Sequence, residues 1–461
     1  DTLKAVRKEV GKKFPLWCRT STFEVFHVGG GRLAEQGVSL QDTLIHAPMF
    51  VKAGADAIHL SQGGWYDYAW QYYTMCPVEA QGPAPYLDMV EQVKKVVNVP
   101  VIAAARISPD IGNSAIKSGA LDFVAMGRTI QADPELPNKL AKGRENEIRP
   151  CIHCNHCIET LSWADGVFCT VNPAVSREQE FEIKRAAKPK KVVIAGGGPA
   201  GMEAARVAAL RGHKVTLYEK NRKLGGQLIQ AAVPPHKSDI GKLIDYQKIQ
   251  LKKQKVKVEL GKELTPAEVK KIKPDAVILA TGVKPVIPGD EVPGLSTLSN
   301  VVMAEDVLLG KAKVGDRVLI IGGDLVGCEV AEFLADKGKE VTVARRSQYM
   351  ADKMNPDMRM LLVDRLKQKG VRLAPGVQYM LATDSGIRVH VRGGITSMAE
   401  IAADAMKNYI ADTIVIAAGS TPNTDLADKL KGVKVQSIGD CVEPRRIIEA
   451  MREGWKAALE I

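Results

Sequence analysis

The sequence predicts an α/β protein in three parts. These are the C-terminal half of a (β/α)8 barrel, a cysteine-bearing connecting segment, and two Rossmann-like dinucleotide-binding folds, one inserted in the other. Three observations carry the expectation. Strand-like and helix-like stretches alternate through the first 145 residues, which implies parallel strands joined by right-handed crossovers. Four of the eight cysteines fall between Cys151 and Cys169. A strand, a glycine-rich turn and a helix recur twice further on, around Gly196 and around Gly322. The expected boundaries are 1–145 for the partial barrel and 146–188 for the cysteine segment and linker. One nucleotide fold takes 189–285 with 420–461, and the inserted one takes 286–419.

A chain of 461 residues is long enough for roughly three separate cores. No run approaches the ~18 apolar residues of a membrane span, and the first residues lack a signal-peptide pattern, so the expectation is a cytoplasmic protein without a span. The net charge of +11 is spread along helices such as 242–257. Solvated helix faces account for that pattern; so does a protein that handles anions such as nucleotides or an acyl-CoA. No nucleic-acid motif is present, and no nucleic-acid partner is expected. The chain opens at Asp1 inside a helical pattern.

In the barrel part, Leu3–Val10 is amphipathic and ends at Gly11, and Phe14–Arg19 follows as a buried strand. Then come a helix near Leu40–Ala53, strand Ala57–Leu60, a helix near Tyr86–Val97, strand Val101–Ala105, a helix near Ile111–Ser118 and strand Asp122–Met126. Four such units cannot close a barrel of eight, so the first half is expected to be missing; a small open sheet is the rival. The last two strands end in Arg106 and in Gly127-Arg128, and barrel enzymes commonly seat a phosphate on their final two βα loops. Arg19, placed at the end of its own strand, joins them. One such arginine would be a rim salt bridge; three at strand ends point to an oxyanion site. The loop beyond Leu60 carries Trp65, Tyr66, Tyr68, Trp70, Tyr72 and Tyr73, a wall for a flat substrate, an oligomer contact or a barrel lid. His59, within its strand, reads as a core histidine.

The order of half barrel, the stretch AMGRTIQADPELPNKLAKGRENEIRPCIHCNHC, and two nucleotide folds resembles the old yellow enzyme family. Within it the match is to the multidomain iron–sulfur branch typified by 2,4-dienoyl-CoA reductase and trimethylamine dehydrogenase, and it covers the whole chain. The resemblance implies FMN in the barrel, contacted by Arg19, Arg106, Gly127 and Arg128. Trp65-Tyr66 falls where the dienoyl reductases carry Trp-His, the His helping to donate a proton, which makes Tyr66 the candidate catalytic acid.

Spacing alone leaves Cys151, Cys154, Cys157 and Cys169 open to a [4Fe–4S] cluster or to tetrahedral zinc. The resemblance implies the cluster. His153 and His156 would then be surplus as ligands.

In the first nucleotide fold, Gly196, Gly198 and Gly201 form G-x-G-x-x-G between a strand and a helix, and the next strand ends in Glu219. The glycines allow a tight turn and close approach of backbone to a pyrophosphate, and the acid can accept from ribose hydroxyls. Gly225-Gly226-Gln227, Gly282 and Asp440 match flavin-bordering positions, so FAD is expected here, with Asp440 on its ribityl chain. In the second fold, Gly322 and Gly327 repeat the pattern, but Asp324 stands at the central glycine and its carboxylate opposes a pyrophosphate. The following strand ends in Ala344-Arg345-Arg346, favouring the 2′-phosphate of NADP(H) over NAD(H). No C-x4-C pair adjoins the flavin, which excludes a disulfide reductase.

The function expected is an NAD(P)H-dependent ene-reductase acting on a small-molecule or acyl-CoA alkene. Electrons would pass from NAD(P)H to FAD, the cluster, FMN and an activated C=C bond. The alternatives are an amine dehydrogenase or N-demethylase that exports electrons to a partner protein, and an electron-transfer module without its own substrate. A homo-oligomer is possible.

Overall fold

The structure is a computed structural model that describes residues 1–24, 26–28, 32–34, 37–63, 74–161, 166–391, 405–430 and 435–461. The chain forms two compact units, residues 1–131 with 153–158 and residues 132–152 with 159–461.

The first unit is built on a parallel sheet in the order Trp17–Ser21, Ala57–Ser61, Val101–Ala103, Phe123–Val124. Helices Leu40–Lys52, Leu87–Val96 and Pro109–Ser118 supply Ala47, Val90, Val93 and Ala115 to one core, where they meet Ile58, Leu60, Val101 and Ala103. Side chains alternate along a strand, so the register places Arg19, His59, Ile102 and Phe123 together on the opposite face. A doubly wound sheet buries both faces under helices; here the three helices share one core, as in the outer layer of a barrel. Local signals set the helix ends. Ser39 and Asp42 form a capping box, Ser108 accepts from Ile111 N–H ahead of Pro109, and Gly119 closes its helix in the left-handed region.

One expected strand is displaced. The expectation was a buried strand over Phe14–Arg19, but pairing starts at Trp17, and Trp17 and Phe14 are each 56% exposed. The Leu16 N–H donates to the Asp56 carboxylate at 2.8 Å instead of joining a ladder. Arg19 therefore lies mid-strand, not at a strand end.

In the second unit two parallel five-stranded sheets repeat one plan. The first runs Val435–Ser437, Ala276–Leu279, Lys191–Ala195, Lys214–Glu219, Lys257–Leu260. The second runs Val301–Met303, Thr413–Ile416, Arg317–Ile321, Glu340–Ala344, Arg372–Ala374. The chain thus leaves the first sheet after Leu279 and returns to it at Val435. The antiparallel strands Val283–Pro285 and Ser420–Pro422 pair where the chain crosses between them. A three-stranded antiparallel sheet, Val377–Thr383, Gly386–Val391 and Ala405–Ile410, is inserted in the second fold between its strands Arg372–Ala374 and Thr413–Ile416. Each nucleotide fold has its own core, around Ile194, Leu217 and Ile278 in one and Ile320, Val343 and Val415 in the other. Among the described residues no helix is long and apolar enough to cross a membrane.

Candidate active site and cofactor sites

In the first unit the segment leaving strand Val101–Ala103 is unusual. Ala105 and Arg106 both adopt left-handed backbone, with φ of 82° and 54°. Each such residue costs on the order of 1–3 kcal/mol, and such strain collects in loops that must aim a group. The Arg19 guanidinium donates to Ser61 Oγ at 3.0 Å. Arg128 is held by Pro77 O at 2.9 Å and Asn155 Oδ1 at 2.5 Å, while Asn155 donates to Cys76 O. Its side chain therefore fastens two loops, and the open approach lies at Gly127, where an added Cβ would meet nothing within 4 Å. His59 is half-buried, its Nε2 has no hydrogen-bond partner among the described residues, and burial followed by the Arg19 charge pushes its pKa down. A neutral packed histidine fits that setting. Tyr66 and the aromatic run around it, residues 64–73, lie outside the described residues.

None of the eight cysteines is joined to another in a disulfide. Cys151 and Cys169 pack beside Ile152, Val171 and Leu243 in the second unit, and Cys154 and Cys157 lie on the 153–158 segment. The backbone turns left-handed at His153 and again at Asn155, on either side of Cys154, which gives the tight path a C-x2-C-x2-C ligand arc requires. Among the described residues no three His, Cys, Asp or Glu side chains are gathered into a metal-holding group. Four cysteines are a donor set that suits an iron–sulfur cluster or a tetrahedral zinc.

In the first nucleotide fold the three motif glycines have separate reasons. A Cβ at Gly196 would sit 2.1 Å from Ala280 O, and one at Gly201 would sit 1.9 Å from Gly196 O. Gly198 caps the Pro199–Leu210 helix with extended backbone, and a Cβ there would meet only the Gly226 Cα, at 3.9 Å, which leaves room for an approaching diphosphate. Glu219 is buried; one carboxylate oxygen accepts from Gly197 N–H at 2.7 Å and the other from Asn221. Gly226 packs against Gly198, where a Cβ would come within 2.8 Å of the Gly198 Cα. Gln227 donates to Asp440 at 2.7 Å, and the Arg445 N–H donates to the other Asp440 oxygen. Burial raises the Asp440 pKa despite these donors. Gly282 is left-handed, beside Thr281, which donates to Asn423 O at 2.7 Å. The chain's own residues thus bring Gly196–Gly201, Glu219, Gly226, Gln227 and Asp440 around one helix start.

The second fold repeats this geometry with opposite charge. Ala195 pairs with Tyr218 and Ile321 with Ala344, so Arg345 stands where Glu219 stands in the first fold. Glu219 accepts from the N–H of the second glycine; Arg345 donates to the carbonyl of the second glycine, Gly323 O, at 2.8 Å. Arg345 also donates to Asp352 at 2.5 Å. Arg346 is exposed and pairs with Glu291 at 2.9 Å. Asp324 takes the place of Gly198 with nearly the same backbone, φ −81° and ψ −168° against −78° and −177°. A Cβ at Gly327 would lie 1.8 Å from Gly322 O, as at Gly201.

One buried constellation was not foreseen. Glu203, fully buried on the helix that starts at Gly198, takes Arg206 bidentately at 2.7 and 3.0 Å and lies 3.7 Å from Arg149. Arg149 also donates to Val171 O, Asn172 and Tyr246, and both arginines stack on Trp455. The network ties the segments flanking Cys151 and Cys169 to the helix of the first glycine turn. The sequence signal was partial: an acid and an arginine three apart on an otherwise apolar helix.

Residues 1–147 match the NADH:flavin oxidoreductase / NADH oxidase family, and residues 190–453 match the pyridine nucleotide-disulphide oxidoreductases. A cinnamate reductase from Clostridium sporogenes is 34% identical over 474 residues, covering 100% of this chain and 68% of that protein. An NADH oxidase from Thermoanaerobacter brockii is 36% identical over 478 residues, covering 100% and 69%. A solved complex of 2-naphthoyl-CoA reductase with 2-naphthoyl-CoA matches with a TM-score of 0.91 at 31% identity, covering 100% of this chain and 67% of that one. The chain spans about two thirds of the length of each of the three. Fold and glycine turns together define the class, a flavin oxidoreductase linked to a nicotinamide nucleotide. The chain belongs to the old yellow enzyme-like flavoenzymes that join an NADH:flavin oxidoreductase domain to a pyridine-nucleotide oxidoreductase domain.

Proposed function

We propose that the protein is an NAD(P)H-dependent ene-reductase that saturates a C=C bond conjugated to a carbonyl, in a small acid or an acyl-CoA. The observation that carries this is the match to a cinnamate reductase along the whole of this chain, supported by the likeness to a 2-naphthoyl-CoA reductase; both substrates named there carry such a bond. Arg19, Arg106, Gly127 and Arg128 are assigned to an FMN phosphate. Gly196, Gly198, Gly201, Glu219, Gly226, Gln227, Gly282 and Asp440 are assigned to FAD. Gly322, Gly327, Arg345 and Arg346 are assigned to the nicotinamide nucleotide, with NADP(H) favoured over NAD(H). Cys151, Cys154, Cys157 and Cys169 are assigned to a [4Fe–4S] cluster. When bound, the flavins exchange electron pairs with the nicotinamide and with the alkene, and the cluster passes electrons singly.

The chain's own tasks follow from the residues. The guanidiniums neutralise phosphate oxygens, and the motif glycines admit diphosphates to helix starts. Tyr66 is assigned the proton for the second alkene carbon. Reduced thiols able to assemble a cluster suit the cytoplasm, and a homo-oligomer fits the same reading. The test is anaerobic: NADPH is added until the flavin absorbance bleaches, and then cinnamate or an enoyl-CoA. Reoxidation with one saturated product per NADPH supports the assignment. Bleaching by a methylamine and not by NADPH would overturn it in favour of an amine dehydrogenase.

A further inference from the structure

Asp324 occupies a place where the chemistry of a nucleotide site has no use for a carboxylate. Its backbone duplicates that of Gly198 and is unstrained, so only the side chain is added to the turn. One carboxylate oxygen is buried and accepts no hydrogen bond among the described residues. What surrounds it is charge: Arg345 at 3.8 Å and Lys353 at 3.8 Å, both beyond hydrogen-bond distance. Lys353 is exposed, whereas Arg345 is almost buried. Arg345 already serves Gly323 O and Asp352, whose other oxygen takes Ser347. Two cations and two carboxylates thus face one another at the mouth of the glycine turn, where a ligand diphosphate would enter.

We propose that Asp324 sets nucleotide affinity at this turn by standing in for a ligand phosphate. In the empty site its carboxylate balances Arg345 and Lys353, and a nicotinamide dinucleotide must take those cations over from it. This rests on the assignment of the second fold to a nicotinamide nucleotide. Two effects act in the same direction. The carboxylate repels the incoming diphosphate, and it holds cations the ligand would otherwise use. The same penalty falls on the oxidised nucleotide after hydride transfer, so the residue also speeds release of product. Asp352 plays a narrower part, since it holds only the guanidinium that stands in the ribose-binding position of the fold.

The test is calorimetric binding of NADP+ and NAD+ to the oxidised holoprotein, in which no turnover occurs. Asp324→Asn keeps the side-chain shape and removes the charge. Both dinucleotides are expected to bind about tenfold more tightly, the size of one like-charge contact screened by neighbouring cations. Lys353→Gln, a surface change, is expected to weaken both by a fewfold. Asp324→Gly checks that the gain comes from losing the carboxylate: it must match the asparagine variant. Retention of the flavin spectrum shows that each variant is folded. Unchanged or weaker binding in Asp324→Asn, with measurable binding in the parent, overturns the proposal alone. No binding of either dinucleotide by parent or variant overturns the nicotinamide assignment beneath it as well.

Discussion

Replacing Glu203 by glutamine removes one buried negative charge and leaves two buried positive ones. Glu203 is fully buried, and its partners Arg206 and Arg149 are 5% and 6% exposed, so water cannot take over the lost contact. Burial alone would raise the Glu203 pKa, but Arg206 and then Arg149 outweigh it and hold the carboxyl below its usual range. Breaking a buried pair by removing one partner costs about 3–5 kcal/mol, because the remaining charge is uncompensated. With an unfolding entropy of about 2.1 cal/mol/K per residue over a unit of this size, each kcal/mol moves the midpoint by roughly 1.5 °C, so Glu203→Gln is expected to lower Tm by about 4–7 °C. The pH dependence carries a sign. A carboxylate whose folded pKa is depressed stabilises the fold above its unfolded pKa and loses that contribution as pH falls through the folded value. The difference between parent and variant should therefore be full at neutral pH and shrink in strong acid. Thermal unfolding followed by circular dichroism, from neutral pH downward, reads both. A variant within about 1 kcal/mol of the parent at pH 7, or a gap that widens in acid, refutes the reasoning.

Three further outcomes are expected. Arg345→Ala removes a charge-assisted contact worth about 1.5–3 kcal/mol to the 2′-phosphate, so NADPH should bind roughly 10- to 150-fold more weakly, while NADH, which loses only the cation shared with Asp324, should lose distinctly less; equal losses would contradict the 2′-phosphate role. Gly201→Ala puts a Cβ 1.9 Å from Gly196 O and should yield protein lacking FAD, measured as flavin per chain after extraction. Asp440→Asn removes a carboxyl whose folded pKa is raised, chiefly by burial. Such a group stabilises the apoprotein below its unfolded pKa and loses that contribution as pH rises through the folded value, so the variant apoprotein should melt higher at neutral pH but not in acid. If Asp440 also bonds the ribityl chain, the same variant should lose FAD on gel filtration.

The glycine turns were legible in the sequence because sterics leave no choice: at Gly196, Gly201, Gly322 and Gly327 a side chain would collide with backbone oxygen. Asp324 was legible as an intruder, and Ala344-Arg345-Arg346 as a charge reversal at a strand end. The sequence does not contain the partners that tie Arg345 to Gly323 O and Asp352, because those depend on how the turn and the following loop fold against each other. The late start of the first strand had the same origin: Asp56, forty residues on, captures the Leu16 N–H. Arg149 was invisible as an organiser, since its partners Glu203, Tyr246 and Trp455 lie far along the chain. The antiparallel sheet of Val377–Ile410 also went unread inside the inserted fold.

The central claim is that reducing equivalents from a nicotinamide nucleotide reach an alkene through flavins and an iron–sulfur cluster. The most direct measurement is an anaerobic NADPH titration of the purified holoprotein with flavin, iron and zinc quantified on the same sample. The account predicts FMN and FAD, about four iron atoms per chain bound by the four cysteines, bleaching by NADPH, and recovery of the oxidised spectrum on adding an enoate. Zinc in place of iron, or a bleached protein that an enoate leaves unchanged, would contradict it.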